Sequence, residues 1–403
     1  MTERLRVLQV IDSLARAGAE QSLATLAPHL VTEGVDLHVA YLVEREGLHN
    51  ELERAGVPVV SLASRGAGRS TWLARTTDLV RDLRPAVVHT TLFEADLAGR
   101  RAAARRRVPC VSSFVNTTYG PAQAGRENVN RLKLRAAQAV DAWTARKVTR
   151  FHAVTDHVAR VMSRRLLIPR SKVEVIPRGR DDAVLGRRTP ARTAEVRRRL
   201  GVGPDDPLVV AVGRQEPQKG LDVLLQAVPA VRARHPGVRV LIAGREGRAS
   251  VALGDAVRAG RLGETVTFLG MRDDVADLLA AADVFAFPSR WEGAGGTLLE
   301  AMALEAPIVT SSLPTLLETV DASTAELARP GDASDLAGGI LRVLADPAAA
   351  AGRARAGRAR FEADFTVEAS ARRMAALYDR VATLDDRVAT AERSLRASRR
   401  VRP

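Results

Sequence analysis

The stretch Val284-Phe285-Ala286-Phe287-Pro288-Ser289-Arg290-Trp291-Glu292-Gly293-Ala294-Gly295-Gly296-Thr297-Leu298-Leu299-Glu300-Ala301-Met302-Ala303 sets the fold class. Val284–Pro288 is continuously apolar rather than alternating, as expected of a parallel strand covered on both faces. A glycine-rich turn follows, and a helix begins near Thr297. Small residues let the backbone come close to a ligand, the free N–H groups of the first helical turn point at it, and the helix dipole favours negative charge. The turn therefore reads as an anion cradle. Glu292 and Glu300 bracket it. A carboxylate only accepts hydrogen bonds, so beside a phosphate site it suits sugar hydroxyls better than phosphate oxygens. The alternative is a helix cap with surface glutamates.

Working outward, the strand–helix pattern recurs. Strands are expected at Val7–Ile11, Leu37–Leu42, Pro58–Leu62, Ala86–Thr90, Val108–Ser112, Phe151–Thr155 and Val173–Pro177 in the first half. In the second they are expected at Leu208–Val212, Val238–Ala243, Val266–Leu269, Val284–Pro288 and Pro307–Thr310. The chain of 403 residues is too long for one ordinary core. Two doubly wound, Rossmann-like α/β domains follow. The polar segment after Ile176 separates them, so the reading divides the chain into 1–185 and 186–365, with a terminal helix at about 366–382 and a basic tail at 383–403.

Two further turns carry candidate groups. Strand Leu208–Val212 ends in Gly213-Arg214, and Lys219-Gly220 precedes the next helix. A planar guanidinium and a compact ammonium can grip a diphosphate from two directions without a metal, while the alternative is a salt-bridged loop. After Val7–Ile11, the run Asp12–Glu20 places Gly18 before another helix, at the carboxyl end of a first strand where open α/β sheets bind ligands.

Composition narrows the classes. Aromatic residues are only 3% of the chain, too few for a base-stacking surface, and the single Cys110 excludes an internal disulfide or a thiolate metal cluster. No D-x-D pair and no H-x-x-x-H spacing occurs, so no cofactor and no metal ion are expected. No apolar run reaches the roughly 18 residues of a membrane span, and the expectation is a cytoplasmic protein. The net charge of +14 is concentrated between Asp96 and Arg180, with 19 basic against 5 acidic residues. Arg100, Arg101, Arg105, Arg106 and Arg107 form one cluster; Arg131, Lys133, Arg135, Arg146, Lys147 and Arg150 form another near Trp143. Such a patch fits an anionic lipid surface at the inner face of the plasma membrane, against the alternative of a solvated arginine-rich surface. A polyanion binder is a rival reading of the charge, but no nucleic-acid module is present and no nucleic acid is expected as partner.

Read together and in order, these motifs resemble the retaining glycosyltransferases of family 4, which have the GT-B fold. The resemblance runs over nearly all of residues 7–380. It includes Phe268-Leu269-Gly270 and Ala281–Ser289, and is strongest from Phe268 to Glu318. It implies two Rossmann-like domains with a nucleotide-sugar donor in the cleft between them, an acceptor-binding first domain, a donor-binding second domain and a terminal helix crossing back to the first. The expected reaction moves a hexose from a nucleoside-diphosphate sugar to a hydroxyl acceptor, a lipid-linked one among the candidates, in cell-envelope glycan, glycolipid or metabolite biosynthesis. A sugar-nucleotide epimerase or hydrolase is the alternative within the fold.

By the same resemblance, Arg214 and Lys219 clamp the diphosphate, Thr297 and Leu298 present helix N–H groups, and Gly295 and Gly296 give close approach. Glu300 holds the ribose, Glu292 the transferred sugar, Met271 adjoins the base and Gly18 meets the donor from the first domain. Many relatives carry a histidine where this chain has Val115, in Ser113-Phe114-Val115-Asn116. His89 and Asn116 are the candidates left on the acceptor side. Arg178 stands where an Asn is common. The loop Asn116–Asn128 is expected to bear on specificity.

Overall fold

The computed structural model describes residues 4–45, 47–63, 68–120 and 130–400, with side chains described through 384. The chain forms two compact units, Met1–Gly179 with Val367–Pro403, and Arg180–Thr366. The division falls earlier than the residue 185 boundary read from the sequence. The reason is local packing: Arg358 Nη2 donates to Asp182 Oδ2 at 2.6 Å, and Leu185 joins the second unit's core.

In the first unit, strands β1 (Leu5–Ile11), β2 (Val35–Tyr41), β3 (Val59–Ser61), β4 (Val87–Thr91), β5 (Cys110–Phe114), β6 (Arg150–Ala153) and β7 (Val173–Val175) form one sheet in the order β3-β2-β1-β4-β5-β6-β7. Every pairing is parallel. The terminal helix Val367–Arg400 presents Ala371, Met374, Leu377, Tyr378 and Val381 to the core around Val7, Ile11 and Leu30. Its backbone continues through most of the stretch read as a tail; residues 401–403 lie outside the described residues. So do residues 121–128 of the loop expected to bear on specificity.

The second unit contains β8 (Leu208–Val212), β9 (Arg239–Ala243), β10 (Val266–Gly270), β11 (Val284–Phe287), β12 (Ile308–Ser311) and β13 (Glu326–Ala328). Their order, β10-β9-β8-β11-β12-β13, is again parallel throughout. Each strand read from the sequence is present, with ends shifted by at most two residues. β13 was not foreseen, because three residues containing a glutamate carry no apolar run. In both sheets the order reverses direction beside the first strand, at β1/β4 and at β8/β11. Such switch points leave a crevice at the carboxyl ends of the strands.

One member of the basic clusters does not belong to the surface. Arg100 is fully buried, paired with Asp96 at 3.0 Å and Asp141 at 2.6 Å. A buried guanidinium needs such partners because desolvation of an unpaired charge costs several kcal/mol. Asp141 also accepts from Tyr119 Oη at 2.7 Å, so one carboxylate fastens the helix Arg131–Ala145 to both Arg100 and the segment after β5.

Candidate active site

In the second unit, β8 and β11 pair side by side, and the loops leaving their carboxyl ends are joined into one surface. Gly220 has φ +63°, and a Cβ there would run into the Pro288 carbonyl, so only glycine permits this approach. Arg290 N donates to Gln218 O at 2.8 Å, and Gln218 Nε2 donates to Trp291 O at 2.9 Å. Arg290 also forks onto Asp222 at 2.5 and 2.6 Å.

The predicted cations differ in setting. The Lys219 stem crosses Gly213, and its Nζ lies 5.4 Å from the Phe287 ring centroid and 2.5 Å from Glu292 Oε1. Ser289 Oγ donates to the same carboxylate oxygen at 2.9 Å. Glu292 is buried. Arg214 is exposed on the rim of that loop.

The helix Gly296–Ala303 starts from Gly295, whose φ of +66° and contacts with Phe287 and Leu316 leave no room for a side chain. Among the described residues, no side chain caps this N-terminus. Gly296 and Thr297 are half-buried at its first turn, whereas Leu298 N–H donates to Gly295 O at 2.9 Å. That amide, read from the sequence as a ligand donor, is thus already committed, and the Leu298 side chain lies in the core. Glu300, one turn on, accepts from Arg180 Nε at 2.7 Å. Met271 follows Gly270 at the end of β10 and is 64% exposed.

In the first unit, Gly18 begins the helix Gly18–Thr32, and the Arg178 guanidinium lies against it. Asp12, at the end of β1, accepts from Ala95 N at 2.7 Å in the first turn of the helix Phe93–Arg106. Burial, reinforced by Asp96, Glu94 and Glu20, pushes its carboxyl up to about 7.

His89 is locked rather than free. Its Nδ1 lies 2.7 Å from Tyr378 Oη and its Nε2 2.7 Å from Ser113 Oγ, which is 2.8 Å from His152 Nδ1. His152 Nε2 is 2.9 Å from the Ile176 carbonyl. A carbonyl only accepts, so His152 carries its proton on Nε2. The chain then runs one way: Tyr378 donates to His89, His89 to Ser113, and Ser113 to His152. Burial lowers His89 to about 3 and His152 to about 4, keeping both neutral. Gln9, His89, Thr91, Ser113, Val115 and Arg178 help line a cavity of about 70 Å³. Asn116 Oδ1 accepts from Thr117 N at 2.8 Å, a local turn contact.

Sequence reasoning missed Arg180, Ser289, His152 and Ser113. Arg178 had been singled out only as a departure. No spacing rule ties these residues to the groups they touch, because their partners come from other strands and loops. Among the described residues, no group of three or more His, Cys, Asp or Glu side chains is arranged to hold a metal ion, and no helix is long and apolar enough to cross a membrane.

These two switch-point units match known proteins. Residues 206–346 fit the family model described as Glycosyl transferases group 1, and residues 16–184 fit Glycosyltransferase Family 4. The chain is 33% identical to the glycogen synthase of Mycobacterium tuberculosis over 307 residues, 74% of this chain and 69% of that protein. It is 31% identical over 260 residues to the 2-deoxystreptamine glucosyltransferase of Streptomyces kanamyceticus, 63% of this chain and 66% of that one. The solved structure of Anabaena HepE in complex with UDP-glucose matches with a TM-score of 0.82 at 22% identity, over 93% of this chain and 99% of that one. The fold is GT-B. The chain belongs to the family 4 glycosyltransferases, and it is an enzyme of the glycosyl-transferring class.

Proposed function

We propose that the protein moves a hexose from a nucleoside-diphosphate sugar to a hydroxyl acceptor with retention of configuration. The observation that carries this is the N-terminus of Gly296–Ala303, which no described side chain caps, at the β8/β11 switch point with Glu292 on the loop leading into it and Lys219 on the loop after β8. HepE in complex with UDP-glucose supports a donor of this class.

In this reading the Gly296 and Thr297 amides, Lys219 and the rim Arg214 receive the diphosphate. They stabilise the charge that grows on the leaving phosphate, a role for which no metal ion is called. Glu300 accepts from ribose hydroxyls, Glu292 from the transferred sugar, and Met271 adjoins the base. The anomeric carbon's bond to the phosphate oxygen breaks with its electron pair leaving on the nucleoside diphosphate. The acceptor oxygen forms its bond on the same face, and its proton passes to the leaving phosphate. The first unit contributes Gly18 to the donor and the acceptor side through the cavity lined by His89 and Arg178, where His89 acts as part of a fixed wall.

The finer partner is an anionic membrane surface. The helix Arg131–Ala145 exposes Leu132 at 75% and Trp143 at 53%, beside exposed Arg131, Lys133, Arg135, Arg146 and Lys147. Lys147 Nζ rests 5.6 Å from the Trp143 ring centroid. Apolar side chains ringed by cations suit an interface with anionic headgroups.

A thermal-shift panel of UDP-, GDP-, ADP- and TDP-sugars tests the donor, since a bound donor raises the melting temperature. NMR assignment of the product's anomeric centre tests retention; an inverted linkage removes it. Consumption of donor without any acceptor favours the epimerase or hydrolase alternative.

A further inference from the structure

We infer that Arg180 is a positioning residue for donor recognition, acting through Glu300; the inference rests on the assignment of Glu300 to the ribose. Arg180 is 7% exposed, and its Nε donates to Glu300 Oε1 at 2.7 Å. Its guanidinium lies directly over Gly296, where any side chain would collide with it. The cation therefore occupies the side of the first helical turn and fixes one carboxylate oxygen of the residue one turn further on.

The backbone of Arg180 is held as firmly as its side chain. Its N–H donates to Phe365 O at 3.0 Å, and it forms a parallel bridge with Thr366. A residue held through its backbone and bonded at its Nε orients the Glu300 carboxylate. The second oxygen remains an acceptor of set direction for a hydroxyl. Charge-assisted bonds of this kind are stronger than neutral ones and directional. Lysine would keep the charge but not the planar fork.

The consequence is discrimination between ribose and deoxyribose. The probes are UDP, GDP and ADP with their 2′-deoxy and 3′-deoxy counterparts, titrated calorimetrically into the full chain. For whichever base binds tightest, the unmodified protein should prefer the ribonucleotide by about tenfold or more over at least one deoxy form, the scale of a hydrogen bond to a charged group. Arg180→Met should reduce that preference to roughly the level of Glu300→Gln while leaving the affinity for the disfavoured deoxynucleotide unchanged, which also reports a folded site. Arg180→Lys should retain an intermediate preference, and it decides the question should Arg180→Met not fold. Full preference in Arg180→Met, or in Arg180→Lys when only that variant folds, with preference lost in Glu300→Gln, overturns the role of Arg180 alone. Full preference in Glu300→Gln, or no binding of any of the three diphosphates, overturns the donor-site reading beneath it.

Discussion

Lys219 Nζ and Glu292 Oε1 lie 2.5 Å apart, so the ammonium proposed for the diphosphate is already paired with the carboxylate proposed for the sugar. A donor phosphate reaching Lys219 competes with, or shares, that carboxylate. Replacing Glu292 by Gln keeps the shape and removes the competing charge. Binding of UDP or GDP, measured by calorimetry, should tighten by roughly tenfold while turnover falls. Lys219→Ala should lower kcat by about 10² to 10³, the scale of losing one group that stabilises developing charge. A near-normal rate in Lys219→Ala would place the site elsewhere.

Gly220→Ala tests the join between the two loops. The φ of +63° and the Pro288 carbonyl both oppose a Cβ, so the substitution should destabilise the second unit by about 3 kcal/mol. Urea unfolding followed by tryptophan fluorescence reads this, because Trp291 lies on the joined surface. An unchanged midpoint contradicts the close approach.

The paired imidazoles predict acid sensitivity. His89 and His152 sit near 3 and 4 when folded, below the ordinary value of 6.5. Between about pH 6.5 and 4 the unfolded chain binds protons that the folded one refuses, so their contribution to stability is complete above that window and is lost as pH falls through it. The variant carrying His89→Gln and His152→Gln should therefore show a flatter melting temperature from pH 7 to 4.5 than the parent, even if its stability at pH 7 is lower. An identical slope in both proteins counts against the buried network.

Trp143→Glu with Leu132→Glu should abolish flotation with vesicles rich in anionic lipid while leaving donor binding in solution unchanged, since both side chains face away from the buried Asp141, Thr144 and Ala145 of the same helix. Neutral vesicles should bind neither protein. Equal flotation of parent and variant at low salt would leave the helix a solvated arginine-rich surface.

Strand positions and the two-sheet plan were legible because continuous apolar runs mark parallel strands locally, within a few residues of chain. Residue type, spacing and the family resemblance together singled out the Gly295-Gly296 turn, Lys219, Glu292 and Glu300 as candidates. What the sequence could not convey was partnership across the fold. Arg180 and Glu300 are far apart in the chain, as are His89 and Tyr378, and no periodicity relates them. Arg100 looked like part of a basic surface because sequence counts charge but not solvent, and Asp96 one turn before it together with the distant Asp141 pair it in the interior. Sequence alone thus determined the class of fold and the kinds of groups available. The tertiary structure determined which of them are buried and paired with one another, since the cost of an unpaired charge depends on its surroundings in space.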